Sequence, residues 1–505
     1  MRPLPEKLLD SAAKWPDACA IQHGDVRLSF AALAARAGAI ASWLGQAGIR
    51  KGDRVALLSE ASGDYVAAYY GVLMAGAVAV ALNAAARAPD IVGWIEHSGA
   101  VALFIDGRHP EARELAQRLP PGLKVLAAQG QALGTDHDDV ALLPTDDRGI
   151  HAGNSRASDL AAFIYTSGTT GRPKAVMLSH GNLAANTDAI VAYLQLTAAD
   201  SIVSVLPFYY SYGNSVLHTH ISSGARIVIG PSLVYPHLVA QAIAREAATG
   251  FAGVPSTFAL LAARVQLQQF DFGALRYVTQ AGGAMSPALT TRIRELLPRA
   301  RLFVMYGQTE AAARLSFVPP ERLRDKLGSV GTPIAGVELE VRDENGASLA
   351  RNRTGEVWAR GPNVMLGYWN DPESTRHTLV DGWLRTGDMG KLDEDGFLFL
   401  EGRRNDIIKV GAHRVFPGDI ESVLEALPGV REVVAVGADD EILGQVVKVC
   451  VVRGDGAALQ ETDIKAYCRS RLATYKVPKL VEFLDALPKT ASGKVQRHLL
   501  THFAS

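Results

Sequence analysis

Tyr165-Thr166-Ser167-Gly168-Thr169-Thr170-Gly171-Arg172-Pro173-Lys174 is the stretch on which the reading of this chain turns. An apolar run, residues 161–165, leads into it and another, residues 175–178, leads out; each has the length and composition of a buried strand. Two glycines let the backbone bend and bare its N–H groups. Hydroxyls of Thr166, Ser167, Thr169 and Thr170 stand between and beside them, and Lys174 adds an ammonium. Bare amides, hydroxyls and one cation make a cradle for a polyphosphate. It is not the loop in which a lysine directly follows the second glycine and opens a helix. Arg172 and Pro173 intervene, and a proline there stops a helix from receiving the phosphate.

Outward from this loop, helical patterns alternate with short apolar strands. Residues 30–44 carry apolar side chains at helical spacing, and strands are expected at 54–58, 101–105, 201–206, 226–229, 251–254, 277–279 and 302–305. Strands separated by helices imply parallel sheets covered on both faces. Residues 65–82 are almost wholly apolar, but Gly71, Gly76 and Asn83 punctuate them, so a buried helix followed by a buried strand is expected instead of a membrane span. From Val337 closely spaced turns separate short strands (337–341, 355–359, 396–400), a more antiparallel texture. The last portion has helices at 417–426 and 463–472 and strands at 430–436 and 446–452.

With 505 residues, 48% hydrophobic and 20% charged, the chain supports two or more domains and excludes disorder. Lys and Arg number 51 against 52 Asp and Glu, which gives no global attraction to nucleic acid or anionic lipid. Cys19, Cys450 and Cys468 are few and scattered, which argues against a disulfide framework or a cysteine zinc site and for a reducing, cytoplasmic setting. Residues 1–21 mix charge with no apolar run, so no signal peptide is expected. The acidic cluster of Asp136, Asp138, Asp139, Asp146 and Asp147 reads as a solvated loop, and His218 and His220, without a third ligand nearby, as packing or polar-network residues.

The phosphate loop resembles the signature of the adenylate-forming enzymes: acyl- and aryl-CoA synthetases, peptide-synthetase adenylation domains and luciferase. The likeness continues, in the family's order, through Tyr306-Gly307-Gln308-Thr309-Glu310, Gly355-Glu356 with Gly361, Tyr368-Trp369, Trp383-Leu384-Arg385-Thr386-Gly387-Asp388, Gly402-Arg403 and Pro488-Lys489-Thr490-Ala491-Ser492-Gly493-Lys494. It is most like a carboxylate–CoA ligase. The implied fold is α/β: a large portion, 1–402, with parallel helix-covered sheets and a β-rich subdomain binds ATP and acid. A small mobile α+β domain, 403–505, carries the adenylation lysine.

The implied chemistry is attack of a carboxylate oxygen on the α-phosphorus of ATP, giving acyl-AMP and pyrophosphate, then transfer of the acyl group to the thiol of coenzyme A. Bringing two anions together makes this a problem of positioning and charge neutralisation. By the resemblance, Thr166, Ser167, Gly168, Thr169, Thr170, Gly171 and Lys174 hold the departing phosphates. Glu310 ligates Mg2+ and Thr309 bonds the α-phosphate. Tyr306, Gly307 and Gln308 complete that segment, with Gly283 and Ala284 beside adenine. Asp388 takes the ribose hydroxyls, and Arg403 also contacts the nucleotide. Lys494 enters for adenylation. Rotation near a hinge at Asn405 then presents Gly411 to the pantetheine tunnel. Lys489 and Arg497 read as solvated neighbours of Lys494.

The chain departs from the family pattern in places. Asn405 stands where Asp or Lys is usual at the hinge, and Ala175 where a glycine commonly follows Pro-Lys. Tyr210, in the segment 206–213, occupies the place of an aromatic or histidine gate. The expected acid pocket comprises Tyr210, Tyr212, Gly213, Val254, Gly283 and Gly307, apolar with hydroxyls. The segment lacks the aspartate with which amino-acid-activating relatives pair the α-ammonium, so an aryl or fatty acid is favoured. Alternatives stay open: loading of a separate carrier protein's phosphopantetheine, and a non-catalytic nucleotide-binding relative. No nucleic acid and no membrane span is expected.

Overall fold

The Gly63–Met74 helix shows how the apolar run at 65–82 resolves. Ser62 caps it, its hydroxyl accepting from the Tyr65 amide at 3.0 Å, and every residue from Tyr65 to Met74 is buried. Gly76, at φ +72°, ends it, and Val78–Ala81 follows as a fully buried strand. Among the described residues no helix is long and apolar enough to cross a membrane. The structure, a computed structural model, describes residues 1–128, 140–142, 155–166, 174–411, 413–440, 443–489 and 495–501.

Contacts gather the chain into two units. The larger takes Met1–Leu327, Gly331–Glu338 and Ala359–Leu384; the smaller takes Gly328–Val330, Leu339–Trp358 and Arg385–Ser505.

In the larger unit Val78–Ala81 is an inner strand of an eight-stranded sheet. Its spatial order is Gly367–Tyr368, Lys174–Ser179, Leu160–Thr166, Val78–Ala81, Arg54–Leu58, Ala100–Asp106, Lys124–Ala128, Val140–Leu142. The strands from Leu160–Thr166 onward run parallel. Lys174–Ser179 returns antiparallel with Thr166 opposite Lys174, so the two strands that flank the phosphate loop pair with each other. A nine-stranded sheet is ordered Thr332–Pro333, Ser316–Val318, Arg301–Tyr306, Tyr277–Gln280, Gly250–Gly253, Ser201–Ser204, Arg226–Ile229, Cys19–His23, Val26–Ser29. Its six strands from Arg301–Tyr306 to Cys19–His23 are parallel. The expected parallel sheets are present, with some ends displaced. The strand expected at 201–206 stops at Ser204 because the chain turns at Pro207, whose carbonyl accepts from the Tyr210 amide at 3.3 Å. Val254 is not in a strand; it caps the Pro255–Arg264 helix.

In the smaller unit residues 388–392 of the Trp383–Leu392 strand pair antiparallel with Leu398–Arg403. The latter begins two residues later than Gly396, which forms a turn with Asp393 at φ +83°. A second sheet orders His413–Val415, Ile408–Val410, Gly444–Arg453 and Val430–Asp440, with Leu480–Leu484 on the Gly444–Arg453 strand. The helices Pro417–Glu425 and Glu461–Arg469 pack their apolar faces on it, and Ile420, Leu424, Ile464 and Cys468 are buried.

Candidate active site

Ligands of parallel α/β sheets gather beyond the carboxyl ends of the strands. In the nine-stranded sheet four adjacent strands end in residues that the sequence singled out. Arg301–Tyr306 runs into Gly307–Glu310, Tyr277–Gln280 into Gly282-Gly283-Ala284, Gly250–Gly253 into Val254, and Ser201–Ser204 into the segment holding Tyr210.

Tyr306 ends its strand with its carbonyl accepting from the Leu315 amide at 2.8 Å, so the chain doubles back over nine residues. Gly307 makes that possible: a Cβ there would lie 2.1 Å from the Ala313 carbonyl oxygen. Thr309–Ala311 forms a single 3-10 turn, followed by Ala312 at φ 51° and Ala313 at φ 103°. Alanine in the left-handed region costs energy, and Asn363 helps hold it there by donating to the carbonyls of Ala311 and Arg314 at 3.1 and 2.7 Å.

The turn aims Thr309 and Glu310 at different partners. The Thr309 hydroxyl donates to Ser211 Oγ at 3.1 Å. Glu310 Oε1 accepts from the Tyr368 hydroxyl at 2.8 Å, while Oε2 has no partner among the described residues. Burial and the neighbouring Glu310 charge push the Tyr368 hydroxyl well above its usual range, so it stays a proton donor. Lys174 lies over the other side of this tyrosine, its Nζ 5.0 Å from the ring centroid, and donates to Ser374 Oγ at 2.7 Å. Asp371 is 3.9 Å from the same ammonium; hydrogen bonds from the Ser374 hydroxyl and amide hold its carboxyl below its usual range. The lysine after the phosphate loop and the YGQTE carboxylate therefore meet on one aromatic ring. Thr166 ends the incoming strand, its hydroxyl 3.5 Å from the Lys174 carbonyl; residues 167–173 lie outside the described residues.

One engaged and one open carboxylate oxygen suits Glu310 to a hard cation that keeps water and phosphate oxygens as its other ligands. Among the described residues no group of three His, Cys, Asp or Glu is placed to hold a metal ion. Gly282-Gly283-Ala284 is exposed, and Gly282 takes φ +85°. A side-chain-poor ledge at a strand end fits a flat base.

The residues expected around the acid have mixed placements. Tyr210 caps the Ser211–Ser223 helix and packs with Tyr209, Ala81 and Ala84. Tyr212 is buried, its hydroxyl bonded to Thr279 Oγ1 and the Thr279 carbonyl at 2.8 and 2.9 Å. Gly213 is required by the turn, since its Cβ would sit 2.1 Å from the Pro207 carbonyl. Val254 and Gly283 stand at neighbouring strand ends, and a Cβ on Gly283 would be 3.3 Å from Pro255. His218 and His220 are core network residues, as expected: His218 Nε2 meets the Tyr69 hydroxyl at 3.0 Å and His220 Nε2 the Tyr277 hydroxyl at 2.7 Å. Burial lowers them to about 3 and about 4 respectively, so both are neutral.

In the smaller unit Asp388 is buried opposite Arg403, whose Nε reaches Asp388 Oδ1 at 2.7 Å. Thr386 braces this strand by donating to the Val357 carbonyl at 2.7 Å and accepting from the Asp388 amide at 3.1 Å. Asn405 lies in the 3-10 turn Arg404–Asp406. Gly411 takes φ +58° in the hairpin turn after Ile408–Val410, and its amide donates to the Leu443 carbonyl at 2.9 Å. Lys494 and the acidic cluster from Asp136 to Asp147 lie outside the described residues. One expectation is corrected. Arg497 is not solvated: it forms a two-pronged pair with Glu421 (2.6 and 3.0 Å) and donates to the Ala435 carbonyl at 2.7 Å. Lys489 pairs with Glu432. The Lys489 pair is half-exposed, whereas Arg497 serves the small unit's own packing.

Sequence reasoning gave no role to Tyr368, Ser374 or Ser211. Tyr368 was visible as half of the Tyr368-Trp369 motif; the two serines carry no local signal.

Residues 8–369 match the family model described as AMP-binding enzyme, and residues 419–494 match the AMP-binding enzyme C-terminal domain. The chain belongs to the AMP-binding enzyme family. Among curated AMP-binding enzymes it is similar to the feruloyl-CoA synthase of an Amycolatopsis species, 34% identical with 95% of this chain and 94% of the relative covered. It is also similar to the oxalate–CoA ligase of Arabidopsis thaliana, 33% identical with 98% of both covered. Among solved structures, ATP-bound MatB from Rhodopseudomonas palustris superimposes with a TM-score of 0.87 at 30% identity, over 99% of this chain and 98% of that one. The amide bond synthetase McbA from Marinactinospora thermotolerans gives 0.89 at 30% identity, over 99% of both.

Proposed function

We propose that this AMP-binding enzyme is an ATP-dependent, AMP-forming carboxylate–CoA ligase. It activates an acid without an α-amino group to acyl-AMP with release of pyrophosphate, then passes the acyl group to the thiol of coenzyme A. The observation that carries this reading is the convergence of Lys174 and Glu310 on Tyr368, at the carboxyl ends of strands whose neighbours supply Thr309 and the glycine ledge. A cation and a half-open carboxylate placed together suit a polyphosphate with its divalent ion.

In this reading Thr309 donates to the α-phosphate, Lys174 neutralises the departing phosphates, and Glu310 takes Mg2+, which screens the phosphate charge when bound. Asp388 and Arg403 receive the ribose, and Lys494 brings an ammonium to the carboxylate and α-phosphate oxygens. Gly411 lines the thiol path, and movement of the portion 403–505 about Asn405 separates the two half-reactions. Similarity to feruloyl-CoA synthase and oxalate–CoA ligase supports coenzyme A as acceptor; carrier-protein phosphopantetheine is the alternative.

The test is pyrophosphate release over a panel of aryl, fatty and dicarboxylic acids, run with coenzyme A and then with phosphopantetheinylated carrier proteins. Acid-dependent release coupled to acyl-CoA is expected. Thioester on carrier alone would move the acceptor, and nucleotide binding without turnover of any acid would reduce the protein to a binding relative.

A further inference from the structure

The sheet that Val430–Asp440 and Gly444–Arg453 share in the smaller unit has two faces, and the helices Pro417–Glu425 and Glu461–Arg469 cover one of them. The end of the chain covers the other, where Leu487, Val495 and Leu500 gather on Val434 and Cys450. Lys489 and Val495 pair antiparallel, and the Gln496 amide donates to the Pro488 carbonyl at 2.8 Å. The chain on either side of residues 490–494 is therefore laced together and seated on the sheet. Val495 is covalently next to Lys494.

Arg497 fastens this stretch at three places, all within the smaller unit. Its guanidinium forms the two-pronged pair with Glu421, on the Pro417–Glu425 helix, at 2.6 and 3.0 Å. It donates to the carbonyl of Ala435, on the Val430–Asp440 strand, at 2.7 Å. Its Nε also stands 3.6 Å from Asp406 Oδ2, in the Arg404–Asp406 turn that contains Asn405. The residues before Asn405 are tied elsewhere: Arg404 reaches Glu356 Oε2 at 3.3 Å and Arg403 reaches Asp388. One arginine thus joins a helix, the sheet and the far side of the hinge turn to the stretch that follows Lys494. Stability alone does not call for this. Charges brought partly out of water lose hydration, and apolar side chains of similar volume often hold a fold as well. What a planar guanidinium with several fixed acceptors adds is direction, because its donors lie in one rigid fork.

We infer that Arg497 is a positioning residue for adenylation: it sets the place and heading of the segment that carries Lys494, and keeps that segment in step with the turn about which the portion 403–505 moves. This rests on the reading in which Lys494 serves acyl-AMP formation. Arg497 acts through that lysine. Displacing a group that must meet the reacting oxygens by about 1 Å costs about 100-fold in rate.

The experiment compares full-length wild type, Arg497→Met, Arg497→Lys, Lys494→Ala and the double variant Lys494→Ala with Arg497→Met, using an acid accepted in the panel above. Acyl-AMP formation is read as single-turnover pyrophosphate release without coenzyme A. Thioester formation is read from supplied acyl-AMP with coenzyme A, and folding from melting temperatures. Arg497→Met should lower the acyl-AMP rate by about 100-fold and leave thioester formation within about twofold of wild type. Arg497→Lys keeps the charge without the fork and should lose about 10-fold in the first step alone. In the Lys494→Ala background Arg497→Met should cost nothing further, because both changes act through one ammonium. An arginine that serves folding alone would lower both half-reactions together, or add its loss to that of Lys494→Ala; either result overturns the inference. So does a folded Arg497→Met that adenylates at the wild-type rate while Lys494→Ala does not. Should Arg497→Met melt below the assay temperature, Arg497→Lys decides by the same split, and an even loss in both steps, or none, overturns the inference. If Lys494→Ala itself adenylates normally, the reading of Lys494 fails and this inference falls with it.

Discussion

Replacing Tyr368 by Phe isolates the contact on which the candidate site is built. The ring is buried and phenylalanine keeps its shape, so Lys174 retains its aromatic neighbour and its bond to Ser374. What disappears is the 2.8 Å donation to Glu310 Oε1, along with a hydrogen bond to Thr378 that does not touch the site. A hydrogen bond to a charged group contributes about 1.5–3 kcal/mol. At 1.36 kcal/mol per decade this predicts a fall of roughly 10- to 150-fold in kcat/KM for acid-dependent pyrophosphate release. The loss should fall on the metal. A carboxylate freed from its partner binds a cation less well, and removal of such an orienting partner typically costs about 10–100-fold in affinity. Mg2+ titration at fixed ATP therefore should show its half-saturating concentration rising by that factor, with melting nearly unchanged. Because the hydroxyl stays protonated well above its usual range, the effect should be constant across neutral and mildly alkaline pH. An unchanged Mg2+ requirement with kcat/KM within about twofold of wild type would refute the role given to the Tyr368–Glu310 contact.

Gly307→Ala should leave the sheet folded but drive the Thr309–Glu310 turn off position, because its Cβ would sit 2.1 Å from a backbone carbonyl. Adenylation should drop by about 100-fold or more, while Gly45→Ala, at an open position in the Phe30–Gln46 helix, should gain about 0.5–1 kcal/mol and keep full activity. His180, His218 and His220 are held neutral in the fold, lowered to about 4, 3 and 4, whereas unfolded they titrate near 6.5. Their contribution to stability is complete above about pH 6.5 and is lost as pH falls toward 4, by up to about 2 kcal/mol each at pH 5. Urea midpoints at pH 7.5, 6 and 5 check this, and His218→Gln should flatten the profile. Arg497→Met should destabilise the smaller unit by about 2–3 kcal/mol, and Glu421→Met added to it should restore part of the loss in a double-mutant cycle.

What the sequence made legible was whatever rests on neighbours along the chain. Alternating apolar strands and helices announce parallel sheets, Gly76 announces the break between the buried helix and strand, and the phosphate loop announces its own flanking strands. The Thr309–Glu310 pair was legible through its motif. Contacts made across the fold were not. Nothing near Arg314 indicates that an arginine turns inward, because the cause is the tertiary path of Ala312 and Ala313 and the two asparagines that brace it, Asn186 and Asn363. Arg497 looked like a surface cation for the same reason, since its partner Glu421 is 76 positions away. The close approach of Gly213 to the Pro207 carbonyl was likewise invisible in the sequence.

The step at stake is attack of a carboxylate oxygen on the α-phosphorus of ATP. It is tested most directly by supplying an accepted acid with 18O in its carboxylate and examining the products by mass spectrometry after a coenzyme A-dependent turnover. One labelled oxygen should appear in the phosphate of AMP and none in the pyrophosphate. Label in inorganic phosphate with ADP as co-product, or AMP free of label, would contradict it.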